Sequence, residues 1–353
     1  MGFDQLSGKV TASSFKEVLL PQLGSKRKEV IVGPQYGVDN SIIDIGNNIG
    51  MAVSSDPLSL IPNIGPKASA WLSVHLLAND IATSGFAPKY GQFVLNLPAE
   101  TSLSIFEEYW RYVHLFCKQI GVAITGGHTC RMGGKDTVIS GGGTMFTTAP
   151  LNEIISSHGA EPGDVIIVTK ETALNSSSIL AMSFPETIKN NLGNVVFQKA
   201  CDNFYETSSL KEALLAAEYL EKNTELKAMH DVTEGGVLGA IYEMACASET
   251  GFLVYNNSLP TGEAQMQIMD LFEIDHRFCI GAGAMIMAVK KGKENDLIEY
   301  LAKHNIKATA VGEMILKNKG FRLVENGIEK DFQFDGVDPY WKAYFNAVKN
   351  NLK

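Results

Sequence analysis

The sequence predicts an α+β protein of two domains, and three observations carry that expectation. Short apolar strands separated by Gly and Asn turns crowd the first part of the chain. Long apolar helices interrupt those strands without strict alternation. A turn feeding a buried strand begins the pattern again after Pro150. At 353 residues, with 45% hydrophobic and 20% charged residues, the chain has the length and composition for two ordinary globular cores.

Residues 29–33, 41–45 and 51–56 read as the opening strands. Pro66 starts and Gly85 stops a helix over 67–84. A strand over 91–97 follows. Phe106, Trp110, Val113 and Cys117, at steps of four, three and four, then mark one face of an amphipathic helix. Strands over 122–125 and 137–147 close this half, with the boundary near Thr148-Ala149-Pro150.

The second half opens on the Gly163-Asp164 turn and the apolar strand through Thr169. Helices over 176–182 and 211–221 come next. A helix with Val237, Ile241, Met244 and Ala245 on its apolar face follows, then a strand over 285–289, a helix over 293–303 and a strand over 309–316. The domains so drawn are 1–150 and 151–335, with 336–353 as a tail.

A formal charge of −9 argues against general nucleic-acid binding. It leaves a nucleotide site open, because a small phosphate site needs only local donors and a metal. The five cysteines are scattered, odd in number and without a CxxC pair, so neither a zinc knuckle nor a disulfide framework is expected. Met1-Gly2-Phe3-Asp4-Gln5-Leu6 lacks the pattern of a signal peptide, and no apolar run is long enough to cross a bilayer. The expectation is a soluble, cytoplasmic protein with neither membrane nor nucleic acid as partner.

Chemistry concentrates in His230-Asp231-Val232-Thr233-Glu234-Gly235-Gly236, directly ahead of a helix. Unpaired N–H groups at a helix start attract anions and carboxylates hold cations, so phosphate plus a divalent metal suits the segment. A capped helix entry with Thr233 or Asp231 as N-cap is the structural alternative. Asp39, Asp56 and Asp80 lie where strands end or where an apolar helix is interrupted. They fit a hard cation such as Mg²⁺, against the alternative of turn or capping aspartates. His128, in Gly126-Gly127-His128-Thr129, is a metal ligand, base or phosphate donor, or else a hydrogen-bonded rim residue. Walker A, GxGxxG, GxSxG and HExxH motifs do not occur.

Taken in order, Gly37-Val38-Asp39, Ser55-Asp56, Asn79-Asp80-Ile81-Ala82, Gly85-Phe86-Ala87-Pro88, Gly126-Gly127-His128-Thr129, Pro162-Gly163-Asp164-Val165-Ile166 and the 230–236 segment resemble the PurM-like ATP-binding superfamily of aminoimidazole ribonucleotide synthetase. The resemblance runs from about Leu6 to Met314. Gly8-Lys9, Leu19-Leu20-Pro21-Gln22-Leu23-Gly24 and Val311-Gly312-Glu313 look most like its HypE branch, the hydrogenase maturation relatives.

The resemblance implies an N-terminal sheet domain that forms a barrel with a second subunit in a homodimer. It also implies a C-terminal α/β domain that covers ATP and Mg²⁺ in the cleft. By motif position, Asp39, Asp56 and Asp80 would hold Mg²⁺. Lys9, Asn79, Gly126, Gly127, Thr129 and Thr233 would contact the nucleotide, a solvated surface lysine being the alternative for Lys9. Asp231, Glu234 and His128 would carry catalysis. The implied chemistry is phosphoryl transfer from ATP that activates an oxygen or another nucleophile of a substrate the sequence does not identify.

The departures are specific. No cysteine follows Cys279, so the HypE reaction on a terminal cysteine is not expected. Glu234 stands where an arginine is usual, His128-Thr129 is closer to the selenophosphate synthetase form, and Thr172-Ala173-Leu174-Asn175-Ser176 replaces a Gly-His-Gly segment. No cysteine precedes Cys117. A small-molecule kinase like thiamine-monophosphate kinase and a non-catalytic nucleotide-binding maturation partner are the alternatives.

Overall fold

The computed structural model describes residues 8–132 and 139–353. A short turn, α1 (Ala12–Ser14), leads to β1 (Val30–Val32), β2 (Ser41–Asp44), β3 (Ile49–Ser59), α2 (Gly65–Ala82), β4 (Tyr90–Pro98), α3 (Leu103–Gln119), β5 (Ala123–Met132) and β6 (Ile139–Pro150). These strands form one sheet in the order β1-β2-β3-β6-β4-β5, in which β4 and β5 are the parallel pair. The start of the strand expected over 137–147 lies outside the described residues.

Helices α2 and α3 cover one face of this sheet, burying Leu77, Ile81, Val113 and Phe116 against Leu58, Phe93 and Met145. The other face stays open. On β4, Phe93 and Leu95 point into the core while Val94 between them is 41% exposed.

The second half contains β7 (Val165–Thr169), α4 (Leu174–Ser183), α5 (Pro185–Asn203), α6 (Leu210–Tyr219), β8 (Leu226–Asp231), α7 (Gly236–Ala247), β9 (Gly251–Tyr255), α8 (Glu263–Leu271), β10 (Met285–Val289), α9 (Glu294–Lys303), β11 (Ala308–Ile315), β12 (Phe321–Glu325), β13 (Ile328–Asp331) and α10 (Pro339–Lys349). The sheet order is β13-β12-β9-β11-β7-β10-β8. Strands β7 and β10 are buried at every position because α7 packs on one face and α6 and α9 on the other. That two-sided burial is why they read as unbroken apolar runs.

Beyond elements the sequence reading did not assign (α5, β9, α8, β12 and β13), the structure differs from it at three points that bear on the site. The segment 336–353, read as a tail, contains the packed helix α10. Asp338 accepts the Tyr340 N–H at 2.8 Å, Pro339 occupies the first turn, and Tyr340 and Tyr344 are buried among α4, α5 and α8. The strand expected at 122–125 runs on through Gly126-Gly127-His128-Thr129 to Met132. The 230–236 segment begins as the end of strand β8, and α7 starts from Gly235 in the left-handed region, with neither Thr233 nor Asp231 as its cap.

Helix α2 is apolar nearly all round because it is sandwiched between its own sheet and the second domain. Its far face carries Trp71, His75 and Asn79, four residues apart. Trp71 Nε1 donates to Thr207 Oγ1 at 2.9 Å, and His75 Nδ1 meets Ser208 Oγ at 2.8 Å. Asn79 Nδ2 donates to the Thr207 carbonyl at 3.1 Å, and its Oδ1 accepts the Ser209 N–H at 2.8 Å. Asn79 thus has both ends of its amide occupied by the other domain. Asn79→Ala is expected to destabilise the protein by about 1–3 kcal/mol, because it leaves buried backbone groups unpaired. Thermal unfolding checks this, and an unchanged melting temperature would remove the tie.

Candidate functional site

Four carboxylates from four different elements meet beneath this tie. Asp39 comes from the loop before β2, Asp56 from β3 beside Ser54, Asp80 from the last turn of α2, and Asp231 from the end of β8. The Asp39 loop lies against α7 through Gly37, whose φ is +80° and where an added Cβ would sit 2.2 Å from the Glu243 carbonyl oxygen. Gly37→Ala is expected to cost about 2 kcal/mol or more, from the left-handed backbone and the overlap together. A urea titration measures it, and wild-type stability would show that the loop does not rest there.

Asp39 is the best supported of the four. Its Oδ2 accepts from Ser157 Oγ at 3.1 Å and from the Asp231 N–H at 3.3 Å. Asp80 Oδ2 accepts from Ser54 Oγ at 2.6 Å. Asp231 is 1% exposed, and among the described residues its Oδ2 has no hydrogen-bond partner.

Burial and mutual repulsion act together on this group. Burial first, then Asp231, Asp56 and Asp39, push the Asp80 carboxyl well above the usual range. Burial first, then Asp39, push Asp231 up to about 8. Burial raises Asp56 to about 6 and also raises Asp39, against the pull of His230 and Lys9.

His230 is one of two basic groups at the site. The ligand atoms of Asp39, His230 and Asp231 lie within 4.8 Å of one another. Yet both His230 nitrogens face acceptors: Nδ1 lies 2.7 Å from the Asp231 carbonyl and 3.3 Å from Asp39 Oδ1, and Nε2 lies 3.3 Å from Glu243 Oε2. Burial alone would lower its pKa, but Asp39 and Glu243 outweigh it and raise the ring to about 9. Nε2 meets Glu243 as an ion-pair contact and not as a hydrogen bond, and a protonated ring so placed would lend no lone pair to a metal.

Lys9 also reaches the site. Its Nζ donates to Thr233 Oγ1 at 2.9 Å and approaches Glu243 Oε2 at 3.4 Å. The Lys9 backbone N–H and Trp341 Nε1 both donate to the Glu234 carboxylate, so each Glu234 oxygen is engaged. The start of α7 is not open to an anion in the way the sequence suggests. Asp338 Oδ2 takes the Gly235 N–H at 2.9 Å, the Thr233 carbonyl takes that of Gly236, and the Arg277 carbonyl takes that of Leu238.

The structure therefore brings together Lys9, Asp39, Asp56, Asp80, Asp231, Thr233 and Glu234. It does not bring in the remaining expected residues. Asn79 is a tie between domains. Gly126, Gly127, His128 and Thr129 are exposed on the edge strand β5. Asp56 registers with Gly143, Gly143 with Phe93, and Phe93 with Gly127, so Gly127 lies three strands away, about 14 Å at the usual spacing. His128 sits in the neighbouring row with Val94 and Gly142 and points to the open face, away from the Asp56 side.

His230 and Glu243 are the site residues that sequence reasoning passed over. The signal for Glu243 was a single carboxylate within the apolar run of α7. The signal for His230 was its place beside Asp231.

Comparison with known proteins follows the same division. The AIR synthase related protein N-terminal domain matches residues 37–147, and the corresponding C-terminal domain matches residues 161–325. A putative hydrogenase expression/formation protein of Methanocaldococcus jannaschii is 25% identical over 325 residues, covering 89% of this chain and 90% of that protein. The crystal structure of Escherichia coli HypE, a hydrogenase maturation protein, superposes with a TM-score of 0.70 at 21% identity, over 82% of this chain and 87% of that one. A structure of HypE in complex with ATP superposes with a TM-score of 0.67 at 16% identity, over 95% of this chain and 97% of that one.

Proposed function

Because this chain belongs to the AIR synthase related proteins and has a HypE-like fold, we propose that it binds ATP and Mg²⁺ between its two domains and transfers phosphate to a substrate. The acceptor is an oxygen or another nucleophile of a small or protein-bound molecule. The observation that carries this reading is Asp231, buried, with one oxygen unpartnered among the described residues and three further carboxylates beside it. Oxygen donors of like charge, crowded without enough protein donors to satisfy them, are the set a hard divalent cation needs. The solved HypE with ATP supports the same reading.

Asp39, Asp56, Asp80 and Asp231 would hold Mg²⁺. When bound, the ion supplies charge neutralisation to phosphate oxygens. Lys9 would exchange its contact with Thr233 for a phosphate, and Thr233 Oγ1 would then be free to donate. His230 pulls Asp39 toward its charged form, against burial, and aims it. The homodimer is part of the same proposal: the open face of the first sheet, with Val94 and the exposed strand β5, is the surface for a second copy.

A non-catalytic nucleotide-binding role is the second reading. Glu234 favours it, because a carboxylate engaged by Lys9 and Trp341 stands where a phosphate-binding cation would help transfer. Calorimetric titration with a non-hydrolysable ATP analogue, with and without Mg²⁺, tests the site. Magnesium-dependent binding is expected, and its absence in folded protein would overturn the proposal. ADP release during an acceptor screen then separates the enzyme from the binder.

A further inference from the structure

We propose that Glu243 is the positioning residue of this site, holding Lys9 and His230 in place where the two domains and the N-terminal segment meet. The inference rests on the nucleotide reading above and adds to it the device that sets the geometry.

Glu243 sits mid-way along α7, between Tyr242 and Met244, and is 5% exposed. A carboxylate there has no packing reason to exist unless basic side chains meet it. Two do. Lys9 Nζ lies 3.4 Å and His230 Nε2 lies 3.3 Å from the same oxygen, Oε2. Beyond them the chain of contacts divides. Lys9 continues to Thr233 Oγ1 on the motif turn, and His230 continues to Asp39 Oδ1 in the other domain. The Asp39 loop also rests on Glu243 by its backbone, through the close approach of Gly37 to the Glu243 carbonyl.

One side chain therefore fixes the cation placed to meet phosphate and, through His230, a carboxylate placed to meet the metal. Glu243 need touch neither ligand itself. Removing its charge leaves His230 buried with one partner fewer and frees Lys9, so the N-terminal segment loosens while the sheet and helices stay intact.

The test uses full-length Glu243→Gln with two readouts. One is calorimetric affinity for a non-hydrolysable ATP analogue with Mg²⁺. The other is the rate of trypsin cleavage after Lys9, followed by peptide mass. The expected result is a loss of affinity of about tenfold, as for residues that orient metal ligands, together with faster cleavage after Lys9. Glu243→Asp, which keeps the buried charge at shorter reach, should fall between the two proteins in both readouts, and it carries the test where the Gln variant does not fold. Unchanged affinity and unchanged cleavage in a folded variant would overturn the inference. So would lost affinity with cleavage after Lys9 no faster than in wild type. Wild-type protein that binds no nucleotide would sink the functional reading instead, and cleavage after Lys9 would still decide the role of Glu243.

Discussion

Asp80→Asn should weaken Mg²⁺-dependent nucleotide binding by about 100-fold or more, equivalent to about 2.7 kcal/mol, and should not weaken the metal-free protein. Asp80 is buried at the end of α2, and one hydroxyl, from Ser54, is the side-chain donor that reaches it. Asp231, Asp56 and Asp39 press on it from the other sides. In metal-free protein its proton is therefore held well above the usual carboxylate range. The Asn variant mimics that neutral form and differs little from wild type in mildly acidic buffer. At higher pH, where wild-type Asp80 is forced toward its charged state, the variant becomes the more stable of the two. Metal binding requires the proton to leave, and Asn offers only a neutral carbonyl oxygen in return. Calorimetry and thermal unfolding check both halves. Wild-type affinity in the variant would remove Asp80 from the metal set.

The pH dependence of stability is the second large effect, and its sign is unusual. Asp231, pushed up from 3.8 to about 8, and Asp56, pushed up from 3.8 to about 6, hold protons in the folded protein that the unfolded chain has released. Stability therefore falls as pH rises through those windows. His230, raised from 6.5 to about 9, acts in the same direction: its stabilisation is complete below 6.5 and is lost between there and about 9. Glu243, which Lys9 and His230 hold down at about 2 against burial, opposes the trend, with stability lost as pH falls below 4.5. The metal-free protein should be most stable near about pH 4 and should melt lower by about 5 °C or more near about pH 8.5. Mg²⁺ should restore the high-pH limb, because it takes over the charges that the protons had neutralised. A melting temperature that rises steadily to alkaline pH in the presence of chelator would contradict this account of the cluster.

The sequence made the four aspartates legible because each stands in or beside an apolar element, with Asp39 before a strand. Asp56 follows Val53-Ser54-Ser55, Asp80 breaks the helix between Leu77 and Ile81, and Asp231 precedes a glycine pair. It could not say which face of a strand a residue takes. His128 shares a motif with Gly127, yet period-two alternation sends their directions to opposite faces, and the register that decides between them is a tertiary fact. Asn79 read as a nucleotide contact for a similar reason: its neighbour Asp80 does face the cluster, while Asn79, about 100° round the helix, faces Thr207 and Ser209. The helix over Pro339–Lys349 went unread as part of the tail: Asp338-Pro339 and the aromatics at 340, 341, 344 and 345 are its local signals, but the surface it covers is formed by distant helices.

The central claim is that carboxylates from both domains bind one divalent cation with the nucleotide. The most direct measurement is electron paramagnetic resonance of Mn²⁺, standing in for Mg²⁺, titrated into protein with a non-hydrolysable ATP analogue. The account predicts tight Mn²⁺ binding in wild type that is lost both in Asp80→Asn, from the first domain, and in Asp231→Asn, from the second. Binding that survives both substitutions would contradict it.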